Sequence, residues 1–229
     1  MPTRRRTTTR PAAKRGAKTA PSVEGPAGIV LTGPPRQLRA TVAVENAVDQ
    51  RVTVHGLVLH REGEAPVSAP ATALIPPGAT ADVPVTFRLE PTTAPGEHTA
   101  EVEVGGIRRS ALIHVEPDLS VRISPRRTLA APGRQTVSLF VANEGNVDLP
   151  LAPTTRARTD DGGPDPGPDV VLEVDDAPTL RPGATATVSG HLVVPAALDP
   201  TRRHVARIPV GTADLEVIVL PRTASETPS

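Results

Sequence analysis

The sequence predicts an all-β protein made of two tandem β-sandwiches, and three observations support this prediction. Apolar residues alternate with polar ones in many short runs, as in strands that place one face on a core and the other in water. The 28 prolines and 18 glycines supply frequent turn signals between these runs. No segment shows the i, i+3, i+4, i+7 apolar spacing of an amphipathic helix, so we expect almost no helix.

The clearest alternating run spans residues 82–89. Its four apolar positions, predicted to face a core, are Val83, Val85, Phe87 and Leu89. Turn signals such as Pro76-Pro77-Gly78 separate this run from its neighbours. About seven short strands fit between residues 28 and 116, and this number and spacing are typical of a sandwich.

The second half of the sequence repeats the first, with an offset that grows from 97 to 106 residues. An internal repeat of this length indicates two copies of one domain. The extra residues of the second copy fall in the loop-like stretch 159–168. The matched segments are 42–46 with 139–143, 75–83 with 180–188, and 98–102 with 204–208.

The repeat sets the predicted domain boundaries. Residues 1–26 are predicted to be a disordered basic tail, because they contain Thr, Arg, Ala and Pro without hydrophobic period. We expect sandwich domains over 27–116 and 117–221, followed by a disordered C-terminal tail over 222–229. The linker between the domains is so short that we expect a restricted relative orientation.

One order of motifs resembles a known family. A strand ending in Val-x-Asn-x-Gly-Asn (141–146) precedes Leu-x-Pro-Gly-Ala-Thr (180–185) and a strand ending in Val-Val-Pro (193–195). The first copy shows the same order with Asn46 and residues 75–80. This order resembles the bacterial immunoglobulin-like modules of the NEW3, CARDB and ASH type. The resemblance implies seven-stranded immunoglobulin-like sandwiches that serve as spacer, adhesion or assembly modules, with no catalytic residues.

The composition excludes several classes of site. With two Phe, one Met and no Trp or Tyr, the core must consist of Val, Leu, Ile and Ala, and aromatic stacking on nucleic acid or carbohydrate is disfavoured. The absence of cysteine removes disulfides, thiol catalysis and Cys-ligated zinc. No nucleophile elbow, phosphate loop or metal-ligand spacing occurs. We therefore expect no enzyme activity, no cofactor and no metal.

Charge is distributed unevenly, although the whole chain is neutral. Residues 1–24 contain seven of the 25 basic residues and one of the 25 acidic ones, so the remainder is net acidic. The tail either contacts a polyanion or an acidic partner, or stays solvated as an assembly arm. Its candidate contact residues are Arg4, Arg5, Arg6, Arg10, Lys14, Arg15 and Lys18.

Two histidines and an acidic loop are the remaining candidate sites. His98 and His204 are equivalent in the repeat, at a position where the resembled families usually have an aromatic residue. We expect each ring to donate a hydrogen bond to a loop carbonyl, in place of a corner tyrosine; the alternative is a pH-sensitive pair. The acidic loop is expected to be solvated, although its oxygens offer hard ligands for calcium. Its carboxylates are Asp160, Asp161, Asp165 and Asp169.

These expectations favour a non-catalytic structural or assembly protein that presents two immunoglobulin-like domains, or their unpaired strand edges, to protein partners or to further copies of itself. One alternative is a nucleic-acid-associated accessory protein that binds through its basic tail. Another is an exported adhesion module, if the true start lies upstream. Because no signal-peptide core or apolar run of about 18–20 residues occurs, we expect the protein to be cytoplasmic.

Overall fold

The computed structural model describes residues 28–160, 162 and 167–221. Within these residues there are seventeen β-strands, one short 3-10 turn (Pro35–Gln37) and no α-helix. The protein is therefore all-β, as the sequence predicts, and its sheets form sandwich-like or barrel-like halves. Residues 29–115 are called the N-terminal half below, and residues 121–219 the C-terminal half.

The N-terminal half contains the seven expected strands. They form one curved sheet in the order β4-β3-β6-β7-β1-β2-β5. All neighbours are antiparallel except β1 and β7, which run parallel. The strands are β1 (Ile29–Gly33), β2 (Leu38–Glu45), β3 (Val52–His60), β4 (Val67–Ile75), β5 (Thr80–Phe87), β6 (Gly96–Val104) and β7 (Ile107–Val115).

The C-terminal half contains ten strands, five of which are only two to five residues long. They form a five-stranded sheet in the order β12-β13-β15-β10-β8, a three-stranded sheet β16-β17-β9, and the pair β11-β14. The strands are β8 (Val121–Ser124), β9 (Arg127–Ala130), β10 (Gly133–Asn143), β11 (Leu149–Pro150), β12 (Thr154–Arg158), β13 (Asp169–Val174), β14 (Thr179–Leu180), β15 (Thr185–Val194), β16 (His204–Val210) and β17 (Ala213–Val219).

Prolines account for part of this higher strand count. Proline has no N–H to donate to a ladder, so it interrupts a strand where that N–H would face a neighbouring strand. Pro125, which follows a cis peptide bond, separates β8 from β9, and Pro153 lies between β11 and β12. The interruption at Pro125 divides the first extended segment of this half into two strands that belong to different sheets. β8 pairs antiparallel with β10, and β9 pairs parallel with β17.

Each half encloses its own hydrophobic cluster, and the two clusters share no buried residue. The predicted inward positions of the run 82–89 all lie in the N-terminal cluster, and Phe87 is fully buried. Burying one such aliphatic or aromatic side chain contributes about 1.5–3 kcal/mol. The largest fully buried side chains are Phe87, Leu31, Leu38, Leu57, Leu59, Ile75, Ile113, Ile123, Leu172, Leu192, Ile208 and Leu215.

Buried asparagines make the same hydrogen bonds in the two halves. Asn46 follows β2 and Asn143 ends β10, and both side chains are buried. The Asn46 Nδ2 donates to the Ile75 carbonyl (3.0 Å), and the Asn143 Nδ2 donates to the Leu180 carbonyl (2.9 Å). Each Nδ2 also donates to the carbonyl four residues further along the chain, at 2.8 Å in both cases. These bonds close the same loop in each half, because a buried amide needs partners for its donors.

Asn146 connects the linker to both halves. Its Nδ2 donates to the carbonyl of Thr93 (3.0 Å), in the loop before β6, and to that of Glu116 (3.1 Å). Its Oδ1 accepts from the N–H of Asp118 (2.6 Å). The Asp118 carboxylate in turn accepts from the N–H and the hydroxyl of Ser120. One buried side chain of the C-terminal half therefore holds one backbone group of the N-terminal half and two backbone groups of the linker.

The backbone beside Asn146 is equally close to the linker. A Cβ built on Gly145 would lie 1.9 Å from the Asp118 carbonyl oxygen, a distance at which no side chain fits. Next to it, the Arg36 Nη2 donates to the Glu144 carbonyl (3.0 Å). The glycine of the Asn-x-Gly-Asn motif is thus required by the close approach of the linker.

Candidate interaction groove

An apolar groove opens at one end of the N-terminal half, where β2 ends and the β6–β7 hairpin turns. Its volume is about 450 Å³, which lies within the range of ligand-binding clefts. We call it the apolar groove, and its principal lining residues are Val44, Val52, Val54, Val104, Gly105, Ile107 and Arg109.

Backbone beside the groove is unpaired on one side. β2 pairs along its whole length with β5, but in the described part of the chain its other side pairs only at Arg39, with Thr32 of β1. Residues 43–46 therefore have one open side. The equivalent residues of the C-terminal half, 140–143 of β10, pair with β8 on that side. The N-terminal half lacks a described strand at the position that β8 fills.

Burial at equivalent positions differs accordingly. Val52 of the groove is 36% exposed, whereas Leu149, at the matching position 97 residues later, is 5% exposed. Val44 is half-buried, whereas its equivalent Val141 is fully buried. In the C-terminal half β8 pairs beside β10, and its Val121 and Ile123 side chains lie next to Leu149 and Val141 respectively.

β8 packs against the C-terminal equivalents of the groove lining. A Cβ built on Gly211 would lie 2.8 Å from the Val121 side chain and 3.3 Å from that of Leu149. Gly211 turns the β16–β17 hairpin as Gly105 turns the β6–β7 hairpin. The matching space in the C-terminal half, lined in part by Val141 and Gly211, has a volume of only about 30 Å³.

Arg109 occupies part of the open strand position. Its Nη1 donates to the Ala43 carbonyl (3.0 Å), an acceptor on the open side of β2. The equivalent residue of β17 is Leu215, which is fully buried in the C-terminal core. The N-terminal half thus has an exposed charged side chain where the C-terminal half has a core leucine, and that side chain supplies the donor that a neighbouring strand would otherwise supply.

The rim of the groove exposes aliphatic surface. Ile107 is 64% exposed and Val48 is 54% exposed, and both line the groove. Aliphatic side chains around a concave site with free backbone acceptors are suited to binding an extended peptide, whose main chain pairs with the strand while its side chains enter the groove.

The outer edges of the N-terminal sheet are less suited to strand addition. β4 and β5 are its outermost strands, and they contain Pro70 and Pro84 respectively. Proline in an edge strand turns its missing donor to the free side, which blocks continuous pairing there. A larger and more open cleft of about 970 Å³ lies between these strands and includes the exposed Arg39 and Arg88.

The two predicted histidine hydrogen bonds are present. The His98 Nε2 lies 2.8 Å from the Ala94 carbonyl oxygen, and the His204 Nε2 lies 2.9 Å from that of Asp199. In each case the ring N–H donates to a carbonyl of the preceding loop. His204 is buried and His98 is half-exposed. This geometry confirms the predicted hydrogen bonds to loop carbonyls, and the role as a substitute for a corner tyrosine stays a prediction.

An ion-pair network lies on the outer face of the N-terminal sheet. The Glu103 carboxylate accepts hydrogen bonds from the Arg108 Nε (3.1 Å) and lies 2.9 Å from the His60 Nε2. The hydrogen bond from Arg108, followed by that from His60, lowers the pKa of Glu103 below its usual value. Hydrogen bonds from Thr201 lower the pKa of Asp199 in the same way.

The other sites predicted from the sequence are only partly described. All seven basic residues of the tail, like Asp161 and Asp165 of the acidic loop, lie outside the described residues. Asp160 accepts from the Gly162 N–H (2.8 Å), and Asp169 lies 3.9 Å from the Arg158 Nε. Within the described ranges no group of three or more His, Asp or Glu side chains is arranged to hold a metal ion. The same residues include no helix long and apolar enough to cross a membrane.

The groove was not predicted from the sequence, although one signal pointed to it. Aligning the two copies over their last hairpin places Arg109 opposite Leu215. A charged residue where the other copy has a buried leucine indicates that the core is open at that position.

No family model matches the sequence, and no curated protein matches it. Among solved structures, the chaperone CupB2 of Pseudomonas aeruginosa is 12% identical, over 80% of this chain and 91% of that chain, with a TM-score of 0.28. The Escherichia coli chaperone DraB is 11% identical, over 85% of this chain and 94% of that chain, with a TM-score of 0.29. A chain of the CsuC–CsuE chaperone–tip adhesion subunit complex of Acinetobacter baumannii is 9% identical, over 86% of this chain and 100% of that chain, with a TM-score of 0.25. Similarity this low supports no functional statement about this chain.

Proposed function

We propose that this chain is a non-catalytic protein-interaction protein that binds an extended segment of a partner polypeptide in the apolar groove. The observation that carries the proposal is the open side of residues 43–46, at a position that the C-terminal half fills with β8. An added strand gains main-chain hydrogen bonds along β2 and buries side chains against the groove.

The chemistry of the groove supports a polypeptide as the ligand. Most of its lining residues are aliphatic, and the open side of β2 adds backbone groups that can pair with a main chain. Each main-chain hydrogen bond contributes about 0.5–1.5 kcal/mol net, and each buried aliphatic side chain contributes about 1.5–3 kcal/mol. The ligand that suits this site is a segment of three or four residues that makes main-chain hydrogen bonds to β2 and buries aliphatic side chains in the groove.

The proposal keeps the domain organisation predicted from the sequence. Residues 27–116 and 117–221 would be two tandem immunoglobulin-like domains of the NEW3, CARDB and ASH type, acting in the cytoplasm as an assembly component. The two separate cores and the matching bonds of Asn46 and Asn143 support this division. The bonds of Asn146 support a defined orientation of the two halves.

Two matched variants test the proposal. Ile107→Arg places bulk and charge at the groove rim, whereas Leu74→Arg makes the same change at an equally exposed aliphatic residue of β4 outside the groove. Tagged wild type and both variants are purified from the native host with nuclease present. We expect a stoichiometric protein partner to be retained by wild type and Leu74→Arg and lost by Ile107→Arg.

Two results would overturn this function. If Ile107→Arg retains the partner as wild type does, the groove is not the binding site. If binding instead disappears on removal of residues 1–24 and falls steeply with salt, the basic tail carries the interaction, as in the nucleic-acid alternative.

A further inference from the structure

We infer that the groove selects an antiparallel segment with the pattern aliphatic-x-aliphatic. This inference rests on the function proposed above and specifies the chemistry of the partner segment. The C-terminal half supplies the template, because β8 is the strand seated at the equivalent position of the same fold.

β8 shows which side chains the position takes. In its antiparallel register Val121 lies opposite Asn143, and Ile123 lies opposite Val141. These two side chains point to the core, and Ile123 is buried. The intervening Arg122 points to solvent and pairs with Glu144 (2.8 Å). An aliphatic residue is therefore placed at every second position, as expected of a half-buried strand.

Transferring this register to the N-terminal half gives the predicted contacts. A partner strand along residues 43–46 would place one aliphatic side chain between Gly105 and Val52, as Val121 lies beside Gly211 and Leu149. The second would cover Val44, as Ile123 lies opposite Val141. Its backbone would take the Ala43 carbonyl from Arg109, since the equivalent carbonyl lies in the β8–β10 ladder.

The sequence preceding β1 offers only half of this pattern. Ser22-Val23-Glu24-Gly25 resembles Ser120-Val121-Arg122-Ile123, with Val23 in the place of Val121. Gly25 stands where β8 has Ile123, so the second aliphatic side chain is missing. A partner segment that supplies both aliphatic residues gains one further buried side chain, which corresponds to a preference of about 10- to 100-fold.

A peptide with the sequence of residues 119–126, Leu-Ser-Val-Arg-Ile-Ser-Pro-Arg, is the probe. It carries a fluorescent label and is titrated into the full chain while anisotropy is recorded. The control peptide replaces its isoleucine with glycine. We expect saturable binding of the isoleucine peptide, about 10- to 100-fold weaker binding of the glycine peptide, loss of binding in Ile107→Arg, and retention in Leu74→Arg.

Three results would overturn the inference. Equal affinity for the two peptides refutes the aliphatic-x-aliphatic pattern, while a groove-dependent native partner would leave the proposed function standing. Equal binding to wild type and Ile107→Arg places the peptide elsewhere. Binding to a Val23→Asp variant but not to the wild-type chain would show that residues preceding β1 already occupy the groove, so that no external segment is taken.

Discussion

The close contact between Gly145 and the linker predicts a large effect of a single methyl group. In Gly145→Ala the new Cβ would lie 1.9 Å from the Asp118 carbonyl oxygen and 2.8 Å from its carbonyl carbon. The linker must therefore move by about 1 Å or more. Two hydrogen bonds are strained or lost, from the Asn146 N–H to Asp118 O (3.0 Å) and from the Asp118 N–H to Asn146 Oδ1 (2.6 Å).

The expected cost follows from these losses. Two hydrogen bonds at about 0.5–1.5 kcal/mol each and an overpacking strain of about 1–3 kcal/mol give a loss of about 2–6 kcal/mol in the free energy of unfolding. Guanidinium unfolding followed by far-UV circular dichroism measures it, because the chain has no Trp or Tyr for fluorescence. The control is Gly28→Ala, whose Cβ would meet no atom closer than 3.9 Å. A Gly145→Ala protein within about 0.5 kcal/mol of wild type would refute the reasoning.

Three further perturbations have defined outcomes. Ile123→Ala should lower the free energy of unfolding by about 2–5 kcal/mol in chemical denaturation, because it empties the core position that β8 fills; a loss below 1 kcal/mol would show that β8 is dispensable. His204→Phe should cost about 0.5–1.5 kcal/mol by removing the hydrogen bond of a buried ring to the Asp199 carbonyl, and His98→Phe should cost less because that ring is half-exposed; equal losses would contradict the burial argument. The lowered pKa of Glu103 contributes stability that is present above the unfolded-state value and lost as pH falls through the folded-state value. Glu103→Gln should therefore flatten the stability profile below about pH 4.5, and an unchanged acid slope would exclude Glu103 as a source of that dependence.

Much of the fold was predictable because strands repeat with period 2. The inward positions Val83, Val85 and Phe87 follow from alternation alone, and each is buried. The hydrogen bonds of His98 and His204 were predictable because the two rings are equivalent in the repeat, at a position where a corner tyrosine would bond to a loop carbonyl.

The groove and the linker contacts were not predictable from local pattern. The alternation of apolar and polar residues around Val44 predicts that its side chain faces the core. That pattern does not show whether a strand from elsewhere in the chain covers this side chain. Asn146 belongs to a recognisable loop motif, but its bond to Thr93 depends on the approach of two loops 53 residues apart. Such contacts depend on how the two halves pack against each other. The pattern of a single sequence does not show which loops come close in space.

The parallel ladder between β1 and β7 has a mechanical consequence. β1 is the first strand of the N-terminal half and β7 is the last, and they pair at five positions, from Ile29 with Ala111 to Gly33 with Val115. A force that pulls Gly28 away from Glu116 acts along this ladder, so its hydrogen bonds are sheared together rather than opened one after another. The N-terminal half would therefore transmit tension between its two ends before it unfolds.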